Sequence, residues 1–205
     1  MKVLVLLMVA VVLATVVAWC AAPAGAWWYH HQTKFTEEIA WLENMRAILP
    51  MGGGLDATLT QRRRDQVERE LRGGRIDRAV SEMRALRRHM RRPGVPRDQQ
   101  VMELGLETYT RASDRVRQHG RLSAAADWLD TLFVFAIRDP SEDIRTAASA
   151  AFLEGLDLRV QDKKSCAALA RWEWAEKGLG GSVPDVSLAV KEELEQRCAR
   201  ERKGR

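Results

Sequence analysis

The charge-free run between Lys2 and Lys34 constrains this chain more than anything else in it: 31 consecutive residues carry no Asp, Glu, Lys or Arg. Val3 to Val17 is almost wholly aliphatic, so a helix built from it has no polar face to turn toward water. Val3 to Ala22 counts 20 residues. At about 1.5 Å per residue, a helix of that length matches the roughly 30 Å hydrocarbon core of a bilayer. The rest of the chain is too polar to follow it into lipid.

Two readings fit this segment. As a signal peptide it has a charged start (Met1, Lys2), an apolar run, a helix-breaking Pro23, and Ala24-Gly25-Ala26 as a small-x-small cleavage site. As an uncleaved anchor it ends in Trp27, Trp28 and Tyr29, residue types that gather at the membrane interface. A lipoprotein reading at Cys20 is disfavoured by the bulky Trp19 before it. Both main readings place the body beyond the membrane, as a single-pass or an exported protein. Of the 33 Lys and Arg residues, 32 lie downstream, but only short flanking segments set orientation and long domains cross largely regardless of charge.

About 175 residues remain, enough for a helical body with a sizeable core. They are rich in Ala, Leu, Arg and Glu and hold no alternating strand pattern, so the expected class is all-α. Setting Cys20 aside, the body keeps Cys166 and Cys198, an even number suited to an oxidising compartment. Cys166 falls early in a predicted helix over 162–177 and Cys198 late in one over 184–203, equidistant from a turn between Gly178 and Pro184. Antiparallel packing about that turn predicts a disulfide between them. Two unrelated buried thiols are the alternative.

The periodicity predicts further helices in order. Phe35, Ile39, Leu42, Met45 and Leu49 form one apolar face of a juxtamembrane helix within 30–51, with Trp41 nearby. Gly52-Gly53-Gly54 reads as a flexible linker over 52–55, followed by a helical-repeat domain over 56–203. Thr58 and Gln61 have capping-box spacing for a helix that ends at Gly73-Gly74. Ile76, Ala79, Val80, Met83, Leu86 and Met90 mark the buried face of the next, closed by Pro93 and Pro96. Helices over 98–118 and 121–137 divide at Gly120. Asp139, Pro140 and Glu142 stand as N-cap, first-turn proline and N3 acid of a helix reaching about Leu158, and Ser182, Pro184 and Asp185 do the same for the last.

Gly74-Arg75-Ile76 with Ala79, Met83 and Leu86 recurs as Gly120-Arg121-Leu122 with Ala125, Leu129 and Leu132, at a constant offset of 46 residues. That period suits two-helix solenoid units. The run from Trp128 to Ile137, with Arg138-Asp139-Pro140-Ser141-Glu142-Asp143-Ile144-Arg145 and Ala147-Ala148, resembles one HEAT repeat. The resemblance covers about 30 residues. It implies that Asp139-Pro140 sets the turn, that Ile144 enters the core, and that Ala147, Ala148 and Ala151 allow close helix packing. The Gly74 and Gly120 segments fit tetratricopeptide-like hairpins equally well. Either resemblance implies an α-solenoid, a class used mostly to bind proteins.

No residue pattern announces catalysis, a metal or a cofactor. His30 and His31 diverge on a helix, and His89 and His119 stand apart, so these read as surface or interfacial residues. The glycine triplet lacks the Lys-Ser/Thr of a phosphate loop. Glu173, Glu176, Glu192 and Glu193 sit on charged helices without the burial that marks a general acid. The strongest binding signal is basic: between Thr60 and Arg97, 13 arginines face five acids. Arg62, Arg63, Arg64, Arg87, Arg88, Arg91 and Arg92 supply most of this excess. Such a hairpin suits anionic lipid head groups or an acidic protein face. With a cytosolic body it suits nucleic acid phosphates. The residues together predict a non-catalytic, membrane-tethered or exported scaffold, with a cytosol-facing module that binds nucleic acid or anionic surfaces as the alternative.

Overall fold

Alanine, leucine, arginine and glutamate are strong helix formers, and they dominate the described body. In a computed structural model of the chain, residues 2–31, 35–48, 53–178 and 188–203 are described, and these form nine α-helices and no strand. The helices are α1 (Lys2–His31), α2 (Phe35–Ile48), α3 (Gly53–Arg72), α4 (Ile76–Met90), α5 (Gln99–Gln118), α6 (Leu122–Ala136), α7 (Glu142–Gln161), α8 (Ser165–Gly178) and α9 (Leu188–Lys203). Of the side chains of α1, those at 8–17, 20–21 and 24–28 are described. The chain divides into two units, Met1–Arg97 and Asp98–Arg205. The division follows the Pro93 and Pro96 connection, whereas the glycine run is the boundary the sequence suggests.

The first unit packs α1 to α4 as successive antiparallel neighbours. Gly25 lets α1 meet α2 closely, since a Cβ there would lie 2.4 Å from the Trp41 ring. Ala26, Ile39, Leu42, Leu55 and Leu59 form one buried cluster, with Met45 against it. Three expectations change here. Pro23 lies inside α1 and does not break it; one proline forfeits a single backbone hydrogen bond, which a long apolar helix packed at its far end tolerates. Gly53 and Gly54 belong to α3, and Gly52 lies outside the described residues. A helical glycine costs about 1 kcal/mol, and the burial of Leu55 and Leu59 outweighs it. With α3 starting at Gly53, Thr58 is no cap; its hydroxyl donates back to the Gly54 carbonyl at 3.0 Å.

Ten successive side chains of α1, Met8 to Val17, are exposed. They span about 15 Å, half a hydrocarbon core. Among the described residues no helix is long and apolar enough to cross a membrane; of the 20-residue run counted on the sequence, the side chains at 3–7, 18–19 and 22 are not described.

Three hairpins share one turn. The Gly74 N–H bonds to Leu71 O and the Arg75 N–H to Glu70 O; Gly120 and Arg121 repeat this on Arg117 O and Val116 O, and Lys163 and Lys164 on Val160 O and Arg159 O. This is the Schellman arrangement, in which a left-handed residue ends one helix and satisfies its last carbonyls. The φ values at Gly74, Gly120 and Lys163 are 68°, 71° and 57°. In each copy an alanine four residues past the Arg or Lys, namely Ala79, Ala125 or Ala168, is fully buried where the helices approach. The third copy carries lysine where the others carry glycine, and an L side chain in that region is strained by roughly 1 kcal/mol. Lys163→Gly is therefore expected to raise stability by about 1 kcal/mol, and Gly120→Ala to lower it by a similar amount. Chemical denaturation of both variants checks this, and equal stability of all three proteins would refute it.

The second unit centres on α5, α6 and α7. Tyr109, Phe133, Phe152 and Leu132 are among its fully buried large side chains, and the Phe133 and Phe152 rings stack at 4.4 Å. A Cβ on Gly105 would lie 2.2 Å from the Phe135 ring, so glycine is what admits that ring. In the HEAT-like segment, α7 begins at Glu142 with Ser141 as its N-cap, so Asp139 is not the cap the sequence suggests. Its carboxylate instead accepts the Ser141 N–H at 2.9 Å, closing an Asx-type turn before the helix. Arg145 then donates to the Asp139 and Pro140 carbonyls at 2.9 and 2.8 Å. Ile144 and Ala148 are buried, Ala151 is half-buried and Ala147 is exposed. The proposed opening of the last helix at Ser182, Pro184 and Asp185 lies outside the described residues.

Candidate functional site

The basic hairpin separates into two populations once its helices are in place. Of the arginines of α3, Arg62, Arg63 and Arg69 face α2 and are engaged there, Arg64 is held within α3, and Arg72 is exposed. Arg62 Nε lies 2.6 Å from the fully buried Glu38 carboxylate. Arg63, itself buried, pairs with Glu43 at 2.5 Å and Glu82 at 3.6 Å. Arg64 contacts Gln61 at 2.7 Å and Glu68 at 3.8 Å. Arg46 of α2 pairs with the buried Asp56, and Arg69 stacks over Phe35 at 4.2 Å. Burial and pairing make these arginines part of the fold, because a buried guanidinium that left its carboxylate would strand an unpaired charge.

The arginines of α4 face outward. Positions 77, 81, 84, 88 and 91 follow the helical repeat, and all are exposed. Arg84 and the half-buried Arg87 are engaged within the fold. Arg88, Arg91 and Arg92 are exposed and meet no carboxylate among the described residues. Three free cations thus gather within two turns at the end of α4.

His89 anchors that end of the helix. Its Nε2 lies 3.2 Å from the Asp56 carbonyl oxygen and 3.1 Å from Thr60 Oγ1. A carbonyl can only accept, so Nε2 carries the proton and the buried Nδ1 is left without a partner. Burial holds the imidazole below its ordinary range, with the nearby Asp56 opposing and Arg92 and Arg63 reinforcing the shift. A neutral ring beside three arginines adds no charge to the surface. Sequence inspection read His89 as a surface or interfacial residue; its spacing of three from Leu86, on the buried face of α4, is the signal that marks it as internal.

Cys166 and Cys198 form a disulfide with their Cα atoms 4.5 Å apart, tying the start of α8 to the end of α9. Lys191 joins the same hairpin, 4.9 Å over the Trp172 ring and 3.4 Å from Glu176. Trp27 and Trp28 are exposed, and they follow directly on the Gly25 and Ala26 contact with α2. Tyr29 lies outside the described side chains.

The charged residues of the second unit include a constellation that sequence inspection missed. Asp130 of α6 is 4% exposed and receives Arg159 of α7 at 2.7 Å and Arg171 of α8 at 2.6 Å. Arg159 also reaches Asp127 at 2.7 Å, and Arg171 stacks on Trp174 at 3.9 Å. Burial pushes the Asp130 carboxyl above its ordinary range against the pull of both guanidiniums. With three donors already on its two oxygens, the group is placed to hold three helices together. Among the described residues no three His, Cys, Asp or Glu side chains are grouped to hold a metal ion.

Compared with known proteins, the chain matches no family model, no curated protein and no solved structure.

Proposed function

We propose that this chain is a membrane-tethered helical-repeat adaptor of the cell envelope, with its body outside the cytoplasm and protein partners bound on its hairpins rather than chemically transformed. The observation that carries the tether is the continuity of α1. One helix runs from an exposed apolar end through the suspected cleavage site into the packed interior, where Ala26 is buried. A peptidase acting after Ala26 would have to unwind that packed backbone, which favours an anchor over a cleaved signal. The disulfide supports the extracytoplasmic side, since such bonds persist in oxidising compartments; it gives the cytosolic nucleic-acid reading no support. The three repeated turns and the HEAT-like tie from Arg145 support a solenoid-type body. On the second unit, Val134 and Trp174 are exposed large apolar side chains of the kind partners bury.

A reporter active only outside the cytoplasm, fused after Arg205, is expected to be active, and the intact mass is expected to retain Met1 or Lys2. Cytoplasmic activity would overturn the location, and a mature chain starting at Trp27 would overturn the anchor.

A further inference from the structure

We propose that the free arginines at the end of α4, Arg88, Arg91 and Arg92, form a docking site for the anionic head groups of the membrane that α1 enters. The inference rests on the tether reading and adds a lipid-binding surface to it. Its basis is the register of the first unit. Gly25 of α1 faces Trp41 of α2, and antiparallel packing then brings the end of α2, Ile48, level with about residue 18 of α1. Arg46, near that end of α2, pairs with Asp56 at the start of α3. The same first turns of α3 receive His89 from the end of α4. The end of α4 therefore lies level with about residues 18 to 20 of α1, and Arg88, Arg91 and Arg92 lie within one turn of His89.

Beyond that level α1 extends past the other helices of its unit. Residues 2–17 add about 24 Å of helix, exposed throughout the described stretch from Met8 to Val17. Packing resumes at the half-buried Ala21. The lipid boundary thus comes near residue 18, more than two turns before Trp27. The three arginines stand at this boundary with no carboxylate among the described residues to hold them. Exposed Ile48 shares the same end. The opposite end of the unit carries Arg69, which stacks on Phe35, Arg75, which pairs with Glu70, Arg72, 4.0 Å from Glu68, and the exposed Arg78, whose charge acts on Glu70. A cluster of three free arginines and the projecting apolar helix therefore coincide at one end of the unit, the arrangement that a surface of anionic lipid matches in charge and position.

The test uses the full chain in vesicles of phosphatidylcholine alone and of phosphatidylcholine with phosphatidylglycerol. Phenylglyoxal modification of single arginines is followed by peptide mass spectrometry. Arg72, whose side chain is 77% exposed at the other end of α3, is the internal control. Each docked arginine near an anionic surface favours the bound state about fivefold, so three favour it on the order of a hundredfold. Modification of Arg88, Arg91 and Arg92 is expected to slow at least about tenfold in the anionic vesicles, with Arg72 unchanged and the protection lost in high salt. The R88Q/R91Q/R92Q variant, with similar helix propensity, is expected to float with neutral vesicles as the wild type does.

Flotation with neutral vesicles but equal modification in both lipids would overturn the docking site and leave the tether standing. Flotation with anionic vesicles alone, abolished in the triple variant, would support the docking site and overturn the tether. Protection of Arg72 to the same degree as the three would overturn the site, because the effect would then be general to the surface.

Discussion

Asp130→Ala is expected to destabilise the second unit by about 3–5 kcal/mol, the cost of breaking a buried ion pair and leaving its partner uncompensated. Arg159 is 7% exposed and cannot reach water without disturbing α7; without Asp130 the one carboxylate it keeps is Asp127, whose side chain is 73% exposed, beside the Gly155 carbonyl at 3.3 Å. The reciprocal change should cost less. Arg159→Leu leaves Asp130 still paired with Arg171 at 2.6 Å and replaces a buried charge by an apolar side chain. Urea unfolding of the two single variants and the double variant checks this, with the double expected to recover much of the loss because no unpaired buried charge remains. Equal losses for the two singles that simply add in the double would show that the network is not a coupled unit.

Replacing both Cys166 and Cys198 by serine should lower stability by about 3–4 kcal/mol in the chain-entropy account, because the bridge closes a long loop of the unfolded chain. The loss should fall unevenly. Apart from the bridge, α9 is held by buried Leu194 and by Lys191 against Trp172 and Glu176. Amide exchange across 188–203 should therefore accelerate far more than exchange in the α5, α6 and α7 core, whose burial does not involve α9. Uniform acceleration of all five helices would mean that the bridge secures the unit as a whole; unchanged exchange in α9 would mean that its packing suffices alone.

Helix positions were largely legible because their signals are local. Ile76 to Met90 shows its buried face as a simple spacing of apolar residues, and Gly74 and Gly120 mark turns that need a left-handed residue. The third turn escaped notice because Lys163 occupies that position, and the backbone conformation of one lysine leaves no trace in composition. The start of α3 was misplaced for a related reason. Three glycines speak locally for a break, while the burial of Leu55 and Leu59 against α1 and α2 is a distant cause that outweighs them. The pairing of Cys166 with Cys198 was readable because an antiparallel hairpin relates sequence distance to spatial distance.

The candidate site divides along the same line. By themselves the residues determined an apolar first segment, an all-helical body, a cysteine pair spaced for a disulfide and a concentration of arginine between Thr60 and Arg97. Which arginines are free was decided only by tertiary structure. Arg62 and Arg63, like Arg91 and Arg92, are adjacent arginines in a basic run, yet the first pair meets Glu38 and Glu43 of another helix and the second meets no carboxylate among the described residues. Charge is a property of a residue, but whether that charge is spent on the fold or left for a partner depends on which surfaces packing brings together.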